Sequence, residues 1–405
     1  AIYEIIGEEN AAAGEAVSIA EAQAMSVSEV VNAMALLIPI VLVILIVSTS
    51  SWIEPLFFLV TIGAAILINM GTNLAFGEVS FITRTVSPVL QLAVSLDYTI
   101  FLLHSFNSHR QTVEPEKAMK LAMKESLSTV AASAATTMTG FAALIFMRFG
   151  IGSDLGLNLL KGIIFSFISV MVLLPAITLI SYKLIDKTRH RKLLPDFKKA
   201  GSVLMKIRIP FLLLAVIIAV PCFLAQSETS FLYGTSNITT VTRVGKDTGS
   251  IEEKFGRQNT LALLVPRGDT GTEAELSDAL SKLPNVTGVI SYTTAVGAQI
   301  PSEFVPEDAL EQFYSEHYAR IIINTDTEDE GTEAFDTVRS VLDTASAYYG
   351  EYWLAGQSAS LYDMKDIVSV DNQRVNLIAI IGIFLVLLVT FRSVSLPLLL
   401  VFTIE

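Results

Sequence analysis

Residues 87–106 read SPVLQLAVSLDYTIFLLHSF, and this stretch sets the fold class of the chain. It is long and apolar enough for a helix that crosses a bilayer, which needs about 20 such residues. Asp97 lies eleven residues into the stretch, close to its predicted midplane. A carboxylate at that depth is costly unless it is paired, hydrated or protonated, so Asp97 is a candidate proton-binding site.

Tyr98 follows Asp97 directly, and a phenolic hydroxyl can donate to a carboxylate or relay a proton through water. Two simpler interpretations stay open from the residues alone. Asp97 is also compatible with a structural hydrogen bond between helices, and Tyr98 with an aromatic side chain that only packs.

The composition of the 405-residue chain indicates a multi-pass α-helical membrane protein. Charged residues make up 17% and hydrophobic residues 52%, whereas soluble domains carry about 25% charged residues. Seven spans are predicted at residues 31–48, 56–75, 86–106, 129–147, 157–180, 209–226 and 375–391, and an eighth begins near residue 394. The single cysteine, Cys222, excludes an internal disulfide, and the four histidines show no ligand spacing, so no metal or cofactor is expected.

Lysine and arginine residues set the predicted orientation. Residues 183–208 carry nine of them against two acids, which predicts a basic cytoplasmic linker. Residues 1–30 and 227–371 then lie outside the membrane, and the second of these segments holds 24 acidic and nine basic residues. The net charge of −13 therefore arises in one external segment, and no nucleic-acid partner is expected.

An internal repeat relates the two ends of the chain. At an offset of 342 residues, Ser51 and Pro55 fall on Ser393 and Pro397. Parallel repeats of this kind are a transporter architecture, and we expect the chain to be part of a longer protein, cut at both ends. The predicted organisation is 1–30, tail of a first external domain; 31–182, five membrane helices; 183–208, the linker; 209–226, a sixth membrane helix; 227–371, a second external domain; and 372–405, a seventh membrane helix with the start of an eighth.

The external segment 227–371 predicts an α+β domain. Strand-like runs lie at 260–266, 286–294, 318–326 and 351–356, and helical spacing at 272–283 and 332–348. The order βαββαβ is that of the ferredoxin-like fold.

Residues 112–147 predict an interfacial helix followed by a span rich in small residues. The loop 112–127 alternates charged residues with Ala, Met and Leu at helical spacing. In the next span, Ser133, Thr136 and Thr137 are candidates to bond Asp97 or water, the alternative being plain small-residue packing.

Lys161 is the remaining candidate for the site. It lies near the predicted outer end of the span 157–180. Two interpretations stay open, a counter-ion for Asp97 or a side chain that extends to the outer interface.

Several motifs together resemble the MMPL-type exporters of the RND superfamily. They are LDYTIFLLHSF at 96–106, RFGIGSDLGLNLLKGI at 148–163 and TFRSVSLPLLL at 390–400. The resemblance covers the whole chain, from the end of a first porter domain, through membrane helices two to eight, to part of helix nine. It implies a secondary active transporter rather than an enzyme. Such a protein uses the proton-motive force to export lipids or other hydrophobic or amphiphilic molecules across the cytoplasmic membrane, as a monomer or a trimer.

In such exporters two Asp-Tyr pairs form the proton relay. Asp97 and Tyr98 would be one pair, and the second would fall near position 439, beyond the end of this sequence. The first five membrane helices also resemble a sterol-sensing domain, so a lipid- or sterol-sensing receptor stays open as an alternative. A protein-translocation accessory of the same superfamily is a further one.

Overall fold

The computed structural model describes residues 2–7, 10–190, 200–226, 233–234, 242–257 and 259–404. The chain divides into two compact units. Ala1–Ala24 with Ser230–Ile367 is called the external unit after its predicted location, and Met25–Thr229 with Val368–Glu405 is called the membrane unit after its membrane-length helices. The first eight helices are α1 (Ile2–Ile6), α2 (Glu15–Ser48), α3 (Glu54–Thr72), α4 (Phe81–Val94), α5 (Leu96–His109), α6 (Pro115–Leu144), α7 (Gly150–Lys187) and α8 (Ala200–Gln226). The remaining elements are α9 (Arg243–Phe255), β1 (Asn259–Pro266), α10 (Thr270–Ser281), β2 (Val286–Ile290), α11 (Glu307–Leu310), β3 (Tyr318–Thr325), α12 (Thr332–Tyr348), β4 (Trp353–Ala355), α13 (Gln357–Phe391) and α14 (Ser395–Ile404).

Seven helical stretches among the described residues are long and apolar enough to cross a membrane, and each overlaps one of the seven predicted spans. They are Glu15–Ser48, Glu54–Phe76, Phe81–His109, Pro115–Leu144, Gly150–Lys187, Met205–Cys222 and Gln357–Phe391. The eighth predicted span begins as α14. Residues 112–127 do not form a separate interfacial helix, because α6 runs without a break from Pro115 to Leu144.

The core of the membrane unit lies where α3, α5, α6 and α7 meet. Phe58 and Ile62 of α3, Phe106 of α5 and Ile163 of α7 are fully buried there. Helix α6 contributes buried alanines to the same core. Small side chains allow close helix packing, which is the main source of association energy where lipid replaces water.

Asp371 attaches α13 to the loop before α7. Its Oδ2 accepts the backbone N–H groups of Arg148 and Phe149 at 2.6 and 2.9 Å. The carboxylate is 1% exposed and lies at the start of α7, where backbone N–H groups lack acceptors within the helix. A polar side chain from one helix thereby satisfies the end of another.

The external unit contains a small antiparallel sheet with strand order β2-β3-β1-β4. Leu261, Leu263 and Val265 alternate along β1 and bury one face of the sheet. Helices α10 and α12 cover that face, for example with Leu276 and Val341. The strands and helices lie at the positions that the residue pattern predicts, and α11 lies in the connection between β2 and β3.

The N-terminal residues pack within the external unit. The Arg243 guanidinium of α9 lies 4.0 Å from the centre of the Tyr3 ring and donates to the Gly7 carbonyl. Asp247 accepts the backbone N–H of Ala12 at 3.1 Å. Residues 1–24 and the segment from 230 therefore form one compact body.

The buried position of Glu273 predicts that the stability of the external unit depends on pH. This α10 carboxylate is 3% exposed and accepts a hydrogen bond from the Tyr314 hydroxyl at 2.8 Å. Burial raises its pKa above the ordinary value of 4.5, although the Tyr314 bond opposes the rise. The folded state then binds the proton of Glu273 more tightly than the unfolded state does. The resulting contribution of proton binding to the free energy of unfolding is fully present below about pH 4.5 and is lost as the pH rises through the raised pKa.

We predict that Glu273→Gln removes this pH dependence. The measurement is native-state hydrogen exchange of the β1 and β3 amides in the whole protein, which gives the free energy of opening. Between about pH 4.5 and the raised pKa, the difference in this free energy between wild type and variant should change by up to about 1.4 kcal/mol per pH unit. Glu275→Gln, at an exposed position of the same helix, should track the wild type. Parallel pH curves for wild type and Glu273→Gln would contradict the prediction.

Candidate functional site

The helix that carries Asp97 is interrupted two residues before it. Helix α4 ends at Val94 and α5 begins at Leu96, with Ser95 between them at φ −86° and ψ 0°. The Ser95 hydroxyl donates to the Gln91 carbonyl at 2.6 Å, and Pro88 within α4 has no N–H to donate. Asp97 therefore lies in the first turn of α5, and helices interrupted within the bilayer are a common place for ion sites.

Asp97 and Tyr98 point in different directions. Successive residues of a helix differ in direction by about 100°, and here Tyr98 is 1% exposed within the core whereas Asp97 is exposed. Among the described residues, no side chain or backbone group forms a hydrogen bond or ion pair with the Asp97 carboxylate. The two neighbours in sequence are thus an outward carboxylate and an inward phenol.

One of the candidate hydroxyl residues of α6, Thr137, lies beside Tyr98. Thr137 is next to the Tyr98 hydroxyl, which is buried and makes no hydrogen bond of acceptable geometry. The hydroxyls of Thr136 and Thr137 donate to the Ser133 carbonyl one turn earlier, at 2.8 and 3.1 Å. Of the predicted supporting residues, the structure brings Thr137 to Tyr98, and the relay roles of Ser133, Thr136 and Thr137 stay predictions.

Lys161 takes part in a different set of contacts. Its ammonium donates to the Asn69 carbonyl at 3.1 Å and to Asn73 Oδ1, and lies 4.7 Å from the centre of the Phe76 ring. Asn73 and Phe76 belong to the short 3-10 helix that follows α3. The ammonium is thereby held at one end of α3, and its role as a counter-ion for Asp97 stays untested.

Buried amides tie α3, α4 and α7 together, and the residue pattern alone did not single them out. Asn69 Nδ2 donates to Gln91 Oε1 at 2.9 Å and to Asn158 Oδ1 at 3.2 Å. Ser87 Oγ donates to that Asn158 oxygen at 2.8 Å, and Gln91 Nε2 donates to Ser166 Oγ at 3.1 Å. The available signal was the occurrence of Asn and Gln inside apolar spans, where an amide needs a partner on another helix.

His104 is another residue that the residue pattern alone did not single out. Together with Asp97, Ile100 and Phe101 it lines a surface pocket of about 200 Å³. His104 is seven residues after Asp97, which places both on one face of α5 because seven residues are close to two helical turns. The spacing was readable from the sequence, but the exposure of this face was not.

Comparison with known proteins places the chain among membrane proteins. The model of the MMPL family matches residues 7–196 and 239–405. A membrane protein of Methanocaldococcus jannaschii is 36% identical over 92 residues, which cover 22% of this chain and 24% of that protein. A Mycobacterium tuberculosis protein named as transport protein MmpL12 is 30% identical over 142 residues, 34% of this chain and 12% of that protein. The matched stretches thus cover a quarter or less of either relative.

We predict that Gly162→Ala destabilises the membrane unit. A Cβ at Gly162 would lie 2.8 Å from Asn69 Nδ2 and 2.9 Å from Gln91 Oε1, inside the buried amide cluster. Overpacking of this kind costs about 1–3 kcal/mol, so the far-UV circular dichroism melting temperature of the purified protein in detergent should fall.

Gly63→Ala in α3 is the matched control, since no atom lies within 4 Å of a Cβ there. Its melting temperature should equal or exceed that of the wild type, because alanine favours a helix. Equal melting temperatures for Gly162→Ala and wild type would contradict the prediction, because the amide cluster would then accept the added methyl group without loss of stability.

Proposed function

The chain belongs to the MMPL family, and from that membership we propose that the protein is a proton-motive-force-driven exporter of lipids or other hydrophobic or amphiphilic molecules. The relative named as a transport protein supports the transport part of the proposal. The energy source is proposed from the chemistry of α5.

The observation that carries the proposal is the position of Asp97 and its lack of a partner among the described residues. This carboxylate lies within a membrane-length helix and has no protein partner among the described residues. A charged group left in that position is costly, whereas its protonated form is tolerated. Binding and release of a proton therefore change the energy of the surrounding helices, which is what coupling to a proton gradient requires.

Tyr98 has a distinct part in the proposed relay. Its hydroxyl is buried beside Thr137 and has no hydrogen bond of acceptable geometry among the described residues. An unsatisfied buried hydroxyl is costly, so it favours a rearrangement that gives it a partner. We place the second Asp-Tyr pair on the second half of the protein, near position 439, where it could meet the outward face of α5.

The proposed topology follows from charge and from the element order. The basic segment 183–208 is cytoplasmic and residues 227–371 are extracytoplasmic, in accord with the positive-inside rule. The order βαββαβ and the strand order β2-β3-β1-β4 support a ferredoxin-like porter domain for the external unit. Residues 1–30 would then be the tail of the preceding porter domain.

We predict that Asp97→Asn in the full-length protein abolishes export. Uptake of a fluorescent phospholipid into inverted vesicles should fall by about 100-fold or more, because an amide cannot carry the proton. Expression and membrane insertion should be unchanged, since the exposed carboxylate holds no structural bond among the residues described here.

Asp154→Asn is the matched control. Asp154 Oδ2 accepts the backbone N–H of Ser80 at 2.9 Å, and an asparagine oxygen can replace it. This variant should export at the wild-type rate. Export that survives both Asp97→Asn and an uncoupler would sink the proton-driven mechanism, and gradient-independent lipid binding without export would favour the sensing receptor instead.

A further inference from the structure

The pocket beside Asp97 contains a second side chain that exchanges protons. Asp97 and His104 line it together with Ile100 and Phe101, so two titratable groups share a wall that is otherwise apolar. Seven residues of helix span about 10 Å, and the two side chains lie on nearly the same line along α5. Histidine is the residue type that gains and loses a proton near neutral pH.

The acidic groups of α6 and α3 near the His109 end of α5 have partners other than His104. Glu125 of α6 accepts hydrogen bonds from Ser105 at 2.7 Å and contacts His109 at 2.8 Å. Glu54 of α3 accepts a hydrogen bond from Asn107 at 2.6 Å. Neither carboxylate is bonded to His104.

The acidic group of α7 near this end of α5 also has a partner other than His104. Asp186 of α7 is paired with Arg110, just past the end of α5. In the described parts of the chain no hydrogen bond or ion pair engages His104. Of the titratable side chains in the described parts of the chain, Asp97 is the one that lines the pocket together with His104.

We propose that His104 is a proton-transfer residue that takes the proton from Asp97 and passes it towards the His109 end of α5. The inference rests on the proposed proton-driven function and adds a residue and a direction to it. In each transfer the Asp97 carboxyl O–H bond breaks and an imidazole N–H bond forms, which leaves a carboxylate and an imidazolium. The imidazolium then releases one proton to water and returns to neutral imidazole, so that charge balances and no electrons move.

The proposed transfer requires water molecules between the two groups. A gap of about 10 Å is too long for direct transfer, which needs hydrogen-bond distance or an intervening water. The pocket volume of about 200 Å³ has room for several water molecules, since each occupies about 30 Å³. His104 is five residues from the last residue of α5, so the second release is close to the helix end.

The test uses the full-length protein in phospholipid vesicles. An imposed pH gradient drives protons from the Ser95 end of α5 towards the His109 end. His104→Gln should slow gradient-driven export of the fluorescent phospholipid by about 100-fold, the usual contribution of a positioned proton-transfer group. His104→Glu restores a titratable group, so it should recover part of the rate with an optimum shifted to lower pH. A side chain that only packs would not be rescued in this way.

A second readout does not depend on the phospholipid probe. Dicyclohexylcarbodiimide reacts with protonated carboxyl groups, and mass spectrometry reports its attachment at Asp97. If His104 removes the proton, then under the gradient His104→Gln should accumulate protonated Asp97 and label several-fold more than wild type. Ser108→Ala, an exposed position one turn further along α5, should behave as wild type in both assays.

The outcomes separate the two proposals. Wild-type labelling and a wild-type pH profile in His104→Gln would overturn the role of His104, while loss of export in Asp97→Asn would leave the exporter proposal standing. Export that persists in Asp97→Asn would overturn the exporter mechanism itself. Reduced export in His104→Gln with raised Asp97 labelling is the result we expect.

Discussion

The absence of water in the hydrocarbon core is the constraint on which the membrane unit depends. A polar side chain there must find a partner on another helix or sit where water or a proton can reach it. Asn69, Gln91 and Asn158 meet the first condition by bonding one another across three helices. Asp97 has no such partner among the described residues and is exposed, which sets it apart from the buried amides and is the reason that we propose a functional role for it.

The turn of a helix converts one dipeptide into two different environments. Asp97 and Tyr98 are adjacent in the chain, yet α5 directs the phenol into the core beside Thr137 and the carboxylate outwards beside His104. The proposed proton exchange at Asp97 would therefore take place on the exposed face of α5, whereas Tyr98 packs against α6 through Thr137. The break at Ser95 places both side chains in the first turn of a new helix.

The external unit obeys the opposite solvent rule. Its sheet buries an alternating apolar face under α10 and α12, the arrangement expected of a domain that folds in water. Glu273 is an exception, because it is buried beside Tyr314 and its pKa is raised. The same physical effect, desolvation of a carboxylate, thus acts on stability in one unit and is proposed to act on transport in the other.

Span number, span position and the element order of the external unit could be predicted from the sequence, because hydropathy over about 20 residues and strand or helix periodicity are local properties. Membership of the MMPL family was also readable, from the motif around Asp97. The burial of Tyr98, the amide cluster around Asn69 and the exposure of the face shared by Asp97 and His104 were decided by tertiary structure alone. Each depends on which helix packs against which face, and in a membrane that choice is made by close-packed contacts between residues far apart in the chain.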